Sequence, residues 1–170
     1  MNRSNSKSSD AVEKLLVKYT PDLKRIFRYD AEAFYPKGHE YIRDRLDEIF
    51  SFEIRIRDRF VCVVCKRTYP EVLPGCGHLI TRNCYPTRWA EDNAHCQCSG
   101  CNLIHEDRPD IYRRIWETLH GGHEAYEALV TRAYATRKMT MDEKVNLFIG
   151  YREKLKAELV TLGYYKKENA

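Results

Sequence analysis

Apolar residues recur at helical spacing along most of the chain, and only its middle third breaks the pattern. Near the N-terminus Val12, Leu15, Leu16 and Tyr19 fall on one face of a short predicted helix. Asp10, with Glu13 three positions on, has the form of a capping box for it. Pro21 is expected to end or restart this helix, leaving Leu23, Ile26 and Phe27 in a second short turn. After the turn signal Tyr35-Pro36-Lys37-Gly38, residues 39–59 carry Ile42, Leu46, Ile49, Phe50 and Ile54 at helical spacing. Their opposite face holds Arg43, Arg45, Asp47, Arg55 and Arg57, which reads as a solvated face. Three further helices close the chain. Pro109 and Gly121-Gly122 bracket the first, whose apolar face is Tyr112, Ile115, Trp116 and Leu119. The second carries Tyr126, Leu129, Val130 and Ala133; the third starts at a capping box, Thr140 to Glu143, and buries Val145, Phe148, Ile149 and Leu155. Residues 1–10 are rich in Ser, Asn and Lys, have almost nothing to bury and are expected to be disordered.

The middle stretch follows other rules. A strand is expected to enter at Val61 and run into Cys62-x-x-Cys65; a turn-rich segment follows, then a strand over 78–81. Residues 82–89 read as a loop with Arg82, Arg88 and Trp89, the last a core anchor. A second pair, Cys98-x-x-Cys101, is expected to open a helix reaching about Ile104. Two Cys-x-x-Cys pairs a few tens of residues apart have the spacing of a four-thiolate zinc site. Cys76, Cys84 and Cys96 are left as spares, Cys96 on the expectation that it points away from Cys98 across an extended segment.

Composition narrows the setting. The hydrophobic fraction of 43% and charged fraction of 32% suit a small core under a polar surface. A net charge of +4 permits nucleic-acid binding without demanding it. No apolar run approaches a membrane span and no signal peptide opens the chain, so the expectation is a soluble cytoplasmic protein with no membrane partner. In a reducing compartment, paired cysteines read as metal ligands rather than disulfides.

Further residues surround the cysteines: Gly77-His78, then Asn93-x-His95-x-Gln97 before the second pair, Asn102 directly after it, and Tyr112 and Gly121 downstream. With these the chain resembles the phage lambda NinG/Rap family of recombination endonucleases over about residues 53–158. It is more distantly similar to endonuclease VII-type junction resolvases. The resemblance implies an α+β, mostly helical fold: a ββα-metal (HNH, treble-clef-like) zinc core over 59–108, a helical region over 11–58 before it and another over 109–165 after it. It implies a metal-dependent DNA endonuclease acting on branched recombination intermediates such as Holliday junctions, in the host cytoplasm if phage-encoded. His78 would be the general base, Asn93 would hold it through its backbone, and Asn102 would ligate a catalytic Mg²⁺ or Mn²⁺. Cys62, Cys65, Cys98 and Cys101 would hold a structural zinc with no open position. Related resolvases carry a carboxylate directly before the base, where this chain has Gly77. The missing ligand must then come from elsewhere: His95, His105, Glu106 and Asp107 are candidates.

DNA is the expected partner, with Lys66, Arg67, Arg82 and Arg88 as phosphate contacts. The arginine face of 39–59 is a second surface that could lie along a backbone. A cut in both strands of a junction would need two active sites, so a homodimer and other recombination proteins are compatible partners. The alternative is a zinc-stabilised nucleic-acid-binding protein without chemistry. His78, Asn93 and Asn102 in that order distinguish the two, because a binding module has no need of them. A third possibility, an interaction adaptor working through the helical C-terminus, would leave His78 idle.

Overall fold

The computed structural model describes residues 3–164. Six helices, α1 (Arg3–Phe27), α2 (Gly38–Arg57), α3 (Ser99–Asp107), α4 (Pro109–His120), α5 (His123–Ala133) and α6 (Met141–Thr161), surround one two-stranded sheet. Its strands are β1 (Pro74–His78) and β2 (Ala94–Cys98), paired antiparallel with Gly75 opposite Gln97 and Gly77 opposite His95. The fold is α+β and mostly helical.

Helix α2 is the central element. Its predicted stripe of Ile42, Leu46, Ile49, Phe50 and Ile54 is at most 1% exposed, and it packs chiefly along α6. Leu15, Leu16 and Ile26 of α1, with Phe148 and Leu155 of α6, complete this larger core. The arginine face differs from expectation, because α2 is enclosed on several sides. Arg55 is buried beneath the Tyr19 and Phe52 rings. Arg57 reaches the Glu91 and Ala94 carbonyls at 2.8 Å each. Arg45 bonds the Tyr29 hydroxyl at 2.7 Å. These guanidiniums bond within the protein rather than coating a solvated face.

Val63, Ile80, Tyr112, Trp116, Leu129 and Ala133 form a second, smaller core. Helix α4 stops at Gly121, whose left-handed φ of 98° supplies the cap geometry a side chain would oppose. Leu119, expected on the apolar face of α4, is instead 54% exposed. The capping box at Thr140 is present, with the Glu143 backbone N–H donating to Thr140 Oγ1 and Glu143 accepting from the Thr140 N–H.

Three local expectations are corrected. Helix α1 is already formed at Arg3, inside the segment expected to be disordered, whose first two residues lie outside the described ones. Pro21 neither ends nor restarts it. The strand that carries His78 lies before it, over Pro74–His78, and no strand enters at Val61. Proline and two glycines make β1 a poor strand by propensity; its partner and packing impose the extended form.

Candidate active site and metal centre

The first cysteine pair sits on a tight turn. Lys66 N–H donates to the Cys62 carbonyl at 2.9 Å, and Cys62 N–H to the Arg67 carbonyl at 2.9 Å. Lys66 adopts a left-handed φ of 59° to close this turn. Val63 N–H then reaches the Cys96 carbonyl of β2 at 2.8 Å, so the turn is laced to the strand that delivers the second pair. Cys98 ends β2 and Cys101 lies in the first turn of α3.

The four sulfurs of Cys62, Cys65, Cys98 and Cys101 lie within 4.8 Å of one another, and Cys65 and Cys98 are 3.9 Å apart. A tetrahedral ion with Zn–S bonds of about 2.3 Å needs sulfurs about 3.8 Å apart. The cluster fits zinc in donor type, number and spacing, and no fifth protein donor joins it among the described residues. Burial pushes the Cys62 and Cys101 thiols up. Burial also opposes ionisation of Cys65, but the Arg67 backbone and side chain outweigh it and hold that thiol at about 6. Crowded thiols of this kind are reconciled by a cation at their centre.

Cys96 stays outside the shell, but not for the expected reason. Positions two apart on a strand share a face, so Cys96 and Cys98 lie on the same side of β2. Cys96 is excluded because it is paired opposite Cys76 inside the sheet, whereas the chain turns at Cys98 into α3.

His78 closes β1 at the mouth of an open cleft of about 490 Å³, lined by Cys76, His78, Thr81, Arg82, Asn102 and His105. His78 Nε2 lies 2.9 Å from the Arg88 carbonyl, and its ring packs 5.7 Å from that of Phe50. A carbonyl only accepts, so Nε2 carries the proton and Nδ1 holds the lone pair of the neutral ring. Burial lowers the pKa of His78, although the Arg88 carbonyl acts the other way. The imidazole is therefore neutral at physiological pH, the state a base requires.

Asn93 engages the backbone that directly follows His78. Its carbonyl accepts from Leu79 N–H, and its side chain bonds Ile80 N–H, the Ile80 carbonyl and the Thr87 carbonyl, at 2.8–3.0 Å. Asn93 thus closes the loop between the strands, and that loop presents the Arg88 carbonyl to His78. It is a fully buried positioning residue.

The candidate cation ligands separate. His95 faces a different pocket: Nδ1 lies 3.0 Å from the Tyr112 hydroxyl and Nε2 3.2 Å from His120 Nε2. Burial drops its pKa to about 4. His105 does line the His78 cleft, one helical turn after Asn102. Asp107 is exposed, and the Glu106 side chain lies outside the described residues. Asn102 Oδ1 would lie 2.9 Å from a Cβ built on Gly77, directly before His78. An amide oxygen is a hard donor of the kind Mg²⁺ or Mn²⁺ takes, and Asn102 offers one in the cleft, whereas the His105 imidazole is a softer donor.

The four basic residues also divide. Lys66, Arg67 and Arg82 are exposed, and Arg82 borders the cleft. Arg88 is committed elsewhere: it forms an ion pair with Asp47, donates to Asp47 Oδ1 at 2.8 Å and caps the Arg82 carbonyl at 2.8 Å. Trp89 Nε1 donates to the same Asp47 oxygen at 2.8 Å, and the ring is buried as expected. Asp47 anchors this loop to α2, a role that α2's periodicity does not mark. Tyr112 braces the site from α4, its hydroxyl 3.5 Å from the Gly77 carbonyl.

No helix among the described residues is long and apolar enough to cross a membrane. No curated protein and no solved structure matches the chain. The family model described as the bacteriophage lambda NinG protein matches residues 6–159, which takes in both cysteine pairs, the His78 hairpin and all six helices entire or nearly so. The chain belongs to the bacteriophage lambda NinG family.

Proposed function

We propose that this protein is a metal-dependent DNA endonuclease of the HNH type, acting on branched recombination intermediates. The observation that carries the reading is His78: a neutral imidazole at an open cleft, its tautomer set by the Arg88 carbonyl, facing Asn102 across the β1–α3 corner. Its Nδ1 is the atom to take a proton from water attacking the phosphodiester. Asn102 and His105 would hold a divalent cation, which supplies a positive charge to the phosphate oxygen and leaving group. The zinc cluster has a different part. It clamps the turn at Cys62 to the start of α3, so that Asn102 is held against β1. Arg82, with Lys66 and Arg67 farther out, gives the surface a cationic path for the phosphate backbone.

The competing reading, a zinc-stabilised nucleic-acid-binding protein, draws on one specific observation. The described residues that line the cleft include no carboxylate. The two readings part in a cleavage assay of zinc-loaded protein on linear, flapped and four-way DNA with Mg²⁺, Mn²⁺ or EDTA. Cleavage of branched DNA, dependent on the divalent cation, is the expected result. His78→Ala should reduce the rate by ~10² to 10⁴-fold and leave zinc content, melting temperature and DNA binding unchanged. Wild-type protein that binds branched DNA and never cuts it would establish the binding module instead.

A further inference from the structure

Gly77 lies where related resolvases carry a carboxylate, and the sheet explains why no side chain fits there. A Cβ built on Gly77 would stand 1.9 Å from Gln97 Oε1 and 2.9 Å from Asn102 Oδ1. The Gln97 amide therefore occupies the space that a side chain at position 77 would need. Register brings it there: Gln97 pairs with Gly75, so its side chain and the missing one at position 77 lie on the same face of the hairpin.

Gln97 is 1% exposed, yet neither its Oε1 nor its Nε2 has a hydrogen-bond partner among the described residues. Leaving a buried amide unpaired costs roughly 1–3 kcal/mol, so such a group calls for an explanation. His105 Nδ1 is buried without a partner as well, one turn along α3 from Asn102. Two buried groups near Asn102 are thus without a partner among the described residues, the Gln97 amide and His105 Nδ1, while His105 Nε2 lies 3.3 Å from the Leu79 carbonyl. Gln97 Oε1 and Asn102 Oδ1 both border the space beside Gly77. An amide oxygen is a hard donor of the kind divalent cations take.

We propose that Gln97 supplies the oxygen ligand that a residue-77 carboxylate would otherwise give, holding the divalent cation jointly with Asn102. The assignment rests on the nuclease reading and identifies the group missing from it. Gln97 and Gly77 are then a matched pair: the glycine makes room, and the long amide side chain reaches across from the neighbouring strand. A neutral ligand in place of an anionic one also implies a weaker cation site, because amide oxygens bind hard cations less strongly than carboxylates.

The test is Mn²⁺ binding to full-length, zinc-loaded protein, followed by the paramagnetic resonance of the free ion, together with thermal melting. Gln97→Leu should weaken Mn²⁺ binding by ~10-fold or more while the melting temperature holds or rises, since an unpaired buried amide has been replaced by an apolar group. A purely structural Gln97 would give the reverse, a lower melting temperature with unchanged Mn²⁺ affinity, and would overturn the proposal. Gln97→Glu should tighten Mn²⁺ binding by restoring an anionic ligand. The double variant Gly77→Asp, Gln97→Ala should bind Mn²⁺ again, by moving the ligand back to β1. The outcomes keep this proposal apart from the nuclease reading. If wild type binds Mn²⁺ and cuts DNA but Gln97→Leu binds as wild type does, only the Gln97 assignment falls. If wild type binds no Mn²⁺ and cuts nothing, both fall.

Discussion

Arg82 and Arg88 stand six residues apart on the loop between the strands, yet their guanidiniums face different surroundings. Arg88 spends its donors on Asp47 and on the loop carbonyl of residue 82, whereas Arg82 is open to solvent at the cleft. Arg88 acts on the site through its backbone, because its carbonyl orients His78. Replacing Arg88 by Ala should therefore lower stability by about 2 kcal/mol, the scale of lost charge-assisted hydrogen bonds, and loosen His78. Arg82→Ala should leave the urea midpoint alone and reduce the slope of log DNA affinity against log salt by about one. An Arg88→Ala variant that melts like wild type while losing salt slope would show the guanidinium serving phosphate rather than Asp47. Gly77 makes a related point. Its need is set not by its own backbone angle but by the Gln97 amide packed against it.

Among the elements, α2 and α6 meet around a buried acid. Glu53 of α2 is fully buried, with Lys154 Nζ of α6 at 2.7 Å; the same ammonium reaches Glu91, just before β2, at 2.7 Å. Burial raises the pKa of Glu53, Lys154 pulling the other way, and Glu158 adds repulsion. Lys154→Met would strand that carboxylate. Loss of one partner from a buried pair costs about 3–5 kcal/mol; because Lys154 is 39% exposed and water can partly replace it, the expected loss is nearer 2 kcal/mol. The sign with pH follows from a folded-state pKa above the unfolded one. Stability linked to Glu53 is complete below the ordinary carboxylate range and is lost as pH rises through the raised value. The Lys154→Met deficit should thus be small near pH 4 and full at about pH 8, read from urea melts at both. Adding Glu53→Gln should remove most of the pH dependence. A deficit equal at both ends would mean that Glu53 is not the group left unpaired.

For the molecule as a whole, the described residues form two separate cores and a sheet of two strands. The larger core is built by α1, α2 and α6; the smaller one is six buried residues around the first cysteine turn, α4 and α5. So small a core needs a staple, and the four-cysteine cluster joins the turn at Cys62 to β2 and α3. Removing the metal should therefore act unevenly. A strong chelator, or Cys101→Ser, is expected to unfold the hairpin and α3–α5 while helicity from α1, α2 and α6 persists, seen as partial loss of far-UV signal and early amide exchange of the zinc region. Cys84→Ser should change neither. One equivalent of zinc per chain is expected by metal analysis; a wild-type protein without it, or Cys101→Ser exchanging like wild type, would refute the cluster's role.

What the sequence determined by itself was local. The stripe Ile42, Leu46, Ile49, Phe50 and Ile54 predicts α2 because helical packing repeats every few residues. The zinc cluster was legible because each Cys-x-x-Cys turn builds half of it from neighbouring residues. Gly121 and Thr140 mark helix ends through backbone angle and capping chemistry that act within a turn. The tertiary structure decided the rest, since the rest depends on which distant segments meet. Only the hairpin register sets Gln97 against Gly77, and only the closure of the loop by Asn93 brings the Arg88 carbonyl to His78. His95 and His105 are equivalent candidates by sequence, but they lie on β2 and α3 and face different pockets. The arginines of α2 read as solvated because periodicity reports only one apolar face. It cannot register that α1, α6 and the sheet enclose the helix from other sides.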